Sequence, residues 1–200
     1  MTDRSSCPRT GLAVVFLVFV LVGCASTPPT RFYVLSPEKG QGMGGGPCVS
    51  IGIGPVKIPD YLDRSGIVTC ITAHEIRVAE FNKWAEPLEE NFPRVLAENL
   101  TSLLCTKTVA ILPWQRPVPV DYRIYVDVIR MDGILGESAS LDVSWTLLDG
   151  TGRKGVLTMK RVSYKEPTGG QDYEDFVSAQ SRNIGSLGRE IANTIRGLSP

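Results

Sequence analysis

Along this chain the spacing of apolar residues changes several times, and each change predicts an element. Arg31 to Ser36, rich in aromatic and branched residues, predicts a first strand. Cys48 to Ile58 predicts a second, with Val49, Ile51 and Ile53 alternating with small residues. Gly52 and Gly54 within it suggest a close backbone approach or a bulge. Pro59 to Arg64 reads as a polar turn or short helix, and Ile67 to Ile71 and Glu75 to Phe81 as short strands around a turn near Ala73-His74. The period then becomes helical, as Leu88, Phe92, Val95, Leu96, Leu100, Leu103 and Leu104 form one amphipathic stripe. Pro87 suits a first helical turn, while Pro93 kinks the helix or marks where its main part begins.

Thr108 to Leu112 predicts another strand, followed by a proline-broken connection from Trp114 to Val120. Tyr122, Ile124, Val126 and Val128 then share one face of a strand. Ala139, Leu141, Val143, Trp145 and Leu147 share a face of the next, with Ser140, Asp142, Ser144 and Thr146 opposite, the alternation of a half-buried strand. Asp149-Gly150 stands where a hairpin turn belongs, and Val156 to Tyr164 supplies the returning strand. After Gly169-Gly170 a stripe from Tyr173 to Leu198 predicts a final helix of about 25 residues. Two long one-sided helices need a sheet to cover. The pattern therefore predicts a single α/β domain over residues 31–200, with a mixed, largely antiparallel β-sheet packed with two long helices.

The amino-terminal residues follow other rules. Arg4 and Arg9 precede an uninterrupted apolar run from Gly11 to Val22, too short to cross a hydrocarbon core of about 30 Å as a stable helix. A basic start with a short apolar centre is the layout of a secretory signal. Leu21-Val22-Gly23-Cys24 matches a lipobox, which predicts cleavage after residue 23 and acyl chains on Cys24. Several acyl chains make such an anchor stable where one does not. Ala25, rather than an aspartate, follows the cysteine, and the sorting rule of Gram-negative lipoproteins then predicts an outer-membrane location facing the periplasm. Residues 24–30, with Pro28 and Pro29, form a short tether.

Composition narrows the partners. Removing the first 23 of 200 residues leaves 177, enough for one domain with a sizeable core. It also removes Asp3, Arg4 and Arg9, leaving 19 basic and 20 acidic side chains. No basic stripe exists to attract nucleic acid or an anionic membrane. Cys48, Cys70 and Cys105 remain after the signal and the acylated cysteine are set aside. Three thiols cannot all pair internally. One bridge with one buried thiol is open, as is none, and the burial habit of cysteine favours core packing.

Reactive groups are sparse. His74 is the one histidine, and a lone turn histidine is usually a solvated surface residue. The sequence holds no HExxH, CxxC or G-x-S-x-G, so no catalytic residue, metal ligand or cofactor is assigned. The glycine-rich stretch from Glu38 to Pro47 lacks the lysine and Ser/Thr of a phosphate cradle and reads as a flexible loop. Glu86, Glu89, Glu90 and Glu98 suit the positive end of the first helix and a solvated face.

Pro29 to Ser36, Ile51 to Asp63, Glu75 to Leu88, Tyr122 to Asp127, Trp145 and the terminal helix together resemble, in order, the ABC-type transport auxiliary lipoproteins of the PqiC-like family. The resemblance implies a three-layer α/β fold and a non-enzymatic auxiliary role in a machine moving lipids between inner and outer membranes, supporting envelope integrity. It implies an MCE-domain protein spanning the periplasm, and inner-membrane components of that system, as partners. Cys70, Cys105 and the glycine-rich loop depart from the family pattern and lend no support to a shared disulfide. Self-association stays open.

A protein in such a role needs a location and a complementary surface. Tyr61, Leu62, Phe81, Trp84 and Leu88 are candidate contact residues, since aromatic anchors often dominate interfaces. The competing reading has them cap the first helix against the sheet. Two alternative functions remain, a regulator of a cell-wall synthase and a periplasmic lipid carrier. The first commonly needs a long spacer, whereas about six tether residues reach roughly 20 Å.

Overall fold

The computed structural model describes residues 28–38, 48–113, 118–151 and 153–198. The expected signal segment, Cys24, most of the glycine-rich loop and Trp114 lie outside the described residues. In chain order the elements are β1 (Arg31–Tyr33), β2 (Val49–Lys57), β3 (Gly66–Cys70), β4 (Ile76–Trp84), α1 (Leu88–Leu103), β5 (Thr106–Ile111), β6 (Tyr122–Ile134), β7 (Ser138–Asp149), β8 (Val156–Pro167) and α2 (Tyr173–Leu198).

The alternation along β7 sets the core. Ala139, Leu141, Val143, Trp145 and Leu147 are each fully buried, while the residues between them are half-buried on the opposite face. β7 lies between β6 and β8, antiparallel to both, and β2 runs parallel to its neighbours β5 and β6, giving the order β5-β2-β6-β7-β8. α1 packs on β2 and β5, α2 packs on β7 and β8, and the two helices touch each other. Two buried polar residues of α2 meet backbone carbonyls around the β6–β7 turn: Gln180 Nε2 donates to Asp132 O at 3.0 Å, and Asn183 Nδ2 to Ala139 O at 3.1 Å. Those bonds satisfy amide donors that α2 buries against the sheet.

The fold is thus the expected single α/β domain with mixed sheets and two long helices, but its strands divide into two sheets rather than one. β1, β4 and β3 form a separate three-stranded sheet, β1 parallel to β4 and β4 antiparallel to β3. It joins the common core through Tyr33, Ile67 and Trp84. The bulge expected in β2 is present: its pairing with β6 shifts between Ile53 and Val56, around Gly54 at φ 107°, a conformation suited to glycine. Pro59 to Arg64 is a turn, with Leu62 N–H donating to Pro59 O at 2.8 Å. α1 begins ahead of Pro93 and runs through it, so that proline does not mark the helix start.

The cysteines correct the preference for core-packed thiols. Cys48 and Cys105 form a disulfide with Cα atoms 4.4 Å apart, and Cys70 is a half-buried free thiol. The cause is the parallel pairing of β2 with β5. Their first residues lie level, and Val49 N–H donates to Cys105 O at 2.9 Å, which brings the two cysteines together at the sheet's end.

Candidate functional site

Among the described residues no group of three or more His, Cys, Asp or Glu could hold a metal ion, and no helix is long and apolar enough to cross a membrane. His74 is exposed at the β3–β4 turn. The features that bear on function are surfaces and the way the chain enters the fold.

Of the five candidate contact residues, Leu62, Trp84 and Leu88 are buried, at 3%, 7% and 5% exposure, and belong to the core. They hold the end of β4 and the start of α1 in place. Tyr61 and Phe81 are half-buried and are the two that offer surface. The Tyr61 hydroxyl donates to Asp132 Oδ2 at 3.2 Å, and burial, followed by the Asp132 charge, pushes its pKa up to about 12. It therefore stays a neutral donor across the physiological range.

The residues after the tether are held more firmly than their sequence suggested. β1 pairs with the end of β4, Arg31 to Asn82 through Tyr33 to Trp84. The Tyr33 hydroxyl donates to Asn82 Oδ1 at 2.9 Å, and burial raises the tyrosine's pKa above its ordinary value. The chain then becomes a strap bound to both helices. Leu35 N–H donates to Asn91 Oδ1 of α1 at 2.8 Å, Ser36 N–H to Ser181 Oγ of α2 at 3.1 Å, and Glu38 N–H to Asn99 Oδ1 of α1 at 3.0 Å. The Glu38 carboxylate pairs with Arg189, lying over Gly185, where a Cβ would come within 2.5 Å of the glutamate's carboxyl carbon. Backbone donors of an irregular segment are thus met by buried side chains. Whatever pulls on residue 30 is passed to β4, α1 and α2 together.

Asn91 is the central fastener, 1% exposed, with its Nδ2 donating to Glu86 Oε1 at 2.7 Å. Asn91→Ala is expected to strand the Leu35 N–H and lower stability by about 1–3 kcal/mol. Urea unfolding checks the loss, and limited proteolysis should show earlier cleavage between residues 35 and 38.

Sequence reasoning also missed an apolar strip. Phe32 is level with Lys83 and Lys83 with Gly66. Gly66, Val68 and Cys70 share one face of β3, and Val68 and Cys70 lie opposite Val78 and Ile76. Phe32, Lys83, Val78 and Ile76 therefore lie on one face of the three-stranded sheet. The parity along β4 flips at the irregularity between the two pairings. Exposure on this face is confined to β1 and β4: Phe32, Ile76 and Val78 are 64%, 44% and 42% exposed, whereas Val68 of β3 on the same face is buried at 3%, as are Tyr33, Ile67 and Trp84 on the other. Val34 extends the alternation of β1, and Ile71 stands at the hairpin turn; both are exposed. The signal available in sequence was the closeness of Phe32 to Cys24; local alternation alone did not tell which face of β4 is covered.

A family model described as ABC-type transport auxiliary lipoprotein component matches residues 33–192. Two solved structures are similar in fold. One, a crystal structure of an uncharacterized protein, has a TM-score of 0.67 at 18% identity, covering 84% of this chain and 99% of that one. The other, a protein from Xanthomonas campestris, has a TM-score of 0.63 at 16% identity, covering 83% and 95%. Among proteins of curated function, none matches the sequence.

Proposed function

Because the chain belongs to the family of ABC-type transport auxiliary lipoprotein components, we propose that it is the membrane-anchored docking subunit of an MCE-type lipid transport system. In this reading acyl chains on Cys24 hold the domain at the periplasmic face of the outer membrane. There it receives the far end of a periplasm-spanning component and supports the integrity of the envelope, with no catalytic step of its own.

The observation that carries the reading is the short path from Cys24 to a firmly held β1. Seven residues lie between Cys24 and Phe32, and from Arg31 onward the chain is bound to β4 and both helices. A domain so tethered stays near its membrane, which favours docking there over action on a distant cell-wall synthase. The carrier alternative is disfavoured by the packing between helices and sheet, where Trp145, Phe92, Phe176, Leu96 and Leu141 fill the interior. Tyr61 and Phe81, the half-buried members of the candidate set, remain the proposed contacts for the partner.

A photo-reactive amino acid at Phe81, activated in intact cells, tests the proposal. The expected product is a covalent adduct with an MCE-domain protein, identified by mass spectrometry. Adducts confined to a cell-wall synthase would replace this function with the regulatory one.

A further inference from the structure

Scattered exposed apolar residues are normal on a protein surface, whereas an aligned set calls for a partner. Phe32, Val34, Ile71, Ile76 and Val78 are five of the eleven large hydrophobic residues that are exposed among the described residues. All five belong to the small sheet, the segment leaving β1, or the β3–β4 turn. The five-stranded sheet, with many more residues, shares most of the others. The opposite face of the small sheet is already used, since it seals the core through Tyr33, Ile67 and Trp84.

The geometry points to a membrane-facing role for this strip: the outer face of the three-stranded sheet lies against the leaflet that holds the acyl chains of Cys24, with Phe32, Ile76 and Val78 at the lipid interface. The inference rests on the anchoring proposed above and adds an orientation to it. Three observations carry it. Phe32 stands eight residues beyond Cys24, so even a fully extended chain places it within about 28 Å of the acylated sulfur. Its strand directly continues the tether, so the anchor draws this sheet, before any other element, toward the lipid. The charges beside the strip nearly cancel: Glu75 and Glu80 stand against Arg77 and Lys83, and Arg31 before Phe32 is paired with Glu174. Contact with a leaflet then depends on apolar side chains, with Lys83 able to keep its ammonium among head groups while its stem lies along the strip.

Such an orientation has a consequence for the rest of the molecule. Seating the strip on lipid leaves for protein the five-stranded sheet and Tyr61, whose hydroxyl meets Asp132 of β6, with Phe81, between Val78 and Lys83 on β4, at the edge of the lipid contact. One domain would then bridge two kinds of partner, with the strap of Leu35 to Glu38 linking the lipid-facing strand to the helices.

The test uses the mature, lipidated protein in vesicles of phosphatidylethanolamine and phosphatidylglycerol that contain a phospholipid bearing a diazirine near its glycerol backbone. After photolysis, lipid adducts are mapped by mass spectrometry. They are expected on peptides carrying residues 31–34 and 71–78, about fivefold or more above those carrying β8. Phe32→Ser with Val78→Ser should remove most of these adducts, and Met159→Ser, an equally exposed change on the larger sheet, should leave them unchanged. Both altered side chains are exposed, so the double variant should melt with the wild type; if it does not, Ile76→Ser alone replaces it. The intact mass of the same sample reports acylation. A protein without acyl mass would refute the anchor itself. An acylated protein with adducts elsewhere, or evenly spread, would overturn the orientation while leaving the anchor standing. Capture of a second copy or another protein, rather than lipid, by a photo-reactive residue at Phe32 in cells would also overturn it.

Discussion

Trp145→Ala is expected to lower the free energy of unfolding by about 3–5 kcal/mol, the range for truncating a fully buried large aromatic. Trp145 is the largest fully buried side chain among the described residues and sits midway along β7, opposite Val126 of β6 and Lys160 of β8. The Lys160 ammonium stands 5.7 Å from the ring centroid and 3.3 Å from Glu190 of α2, so the ring lies beneath a cation that also ties the helix to the sheet edge. Alanine would leave a void in the sheet–helix contact and remove the aromatic face below Lys160. At about 2–4 °C per kcal/mol for a domain of this size, the melting temperature should fall by roughly 6–20 °C. Trp145→Phe separates size from polarity. The indole Nε1 finds no acceptor among the described residues. Phenylalanine therefore removes an unmet donor, whose burial is costly, as well as part of the ring. Its loss should be well under half that of alanine. Thermal unfolding followed by circular dichroism checks both. An alanine variant melting within about 2 °C of wild type would show that the helix layer does not rest on this side chain.

Trp145 also marks where the sequence was most legible. The alternation that placed it inward is the same that places Leu141 and Leu147 inward, and the turn at Asp149 follows directly from it. There Asp149 accepts N–H bonds from Arg153 and Lys154, an interaction its short side chain makes locally. The terminal helix was equally legible because its stripe runs uninterrupted along its whole length. What could not be read was pairing at a distance. β1 finds β4 some fifty residues away, and no local pattern says that these strands leave the larger sheet. The same blindness affected Cys48 and Cys105, which meet only because β2 and β5 are parallel neighbours. Leu62, Trp84 and Leu88 lie around turns and element ends, where alternation does not fix burial, and the packing of the small sheet decided it. Asn91 carries no signal in the helical stripe, yet it is buried, where its Oδ1 accepts from Leu35 N–H. Of the candidate contacts only Tyr61 and Phe81 offer surface, and the apolar strip of Phe32, Ile76 and Val78 could not be read from the sequence at all.

Cys24→Ser is expected to abolish function while leaving the fold unchanged, and the reason lies in how little else holds the protein to a membrane. The hydroxyl cannot take the diacylglyceryl group, and processing at the lipobox depends on that modification. Each buried methylene of an acyl chain contributes about 0.8 kcal/mol to membrane attachment, so losing the chains removes an attachment that the near-neutral domain has no charge to replace. The lipid contact proposed for Phe32, Ile76 and Val78 involves three exposed side chains and orients a protein that the acyl chains already hold. Stability should not change, because the core begins at Tyr33 and the strap is fastened to α1 and α2 from Leu35 onward. In cells lacking the wild-type copy, the variant should fail to restore the envelope barrier, read as sensitivity to detergent, and should be absent from the outer-membrane fraction. Replacing residues 1–23 by an ordinary secretory signal, in the Cys24→Ser background, releases the same domain into the periplasm and separates placement from export. If that soluble form restored full barrier function, docking would not need the anchor, and the role assigned to Cys24 would fall. The expected result is failure, because in the proposed reading an anchored domain is held where its partner ends, whereas a free one is spread throughout the periplasm.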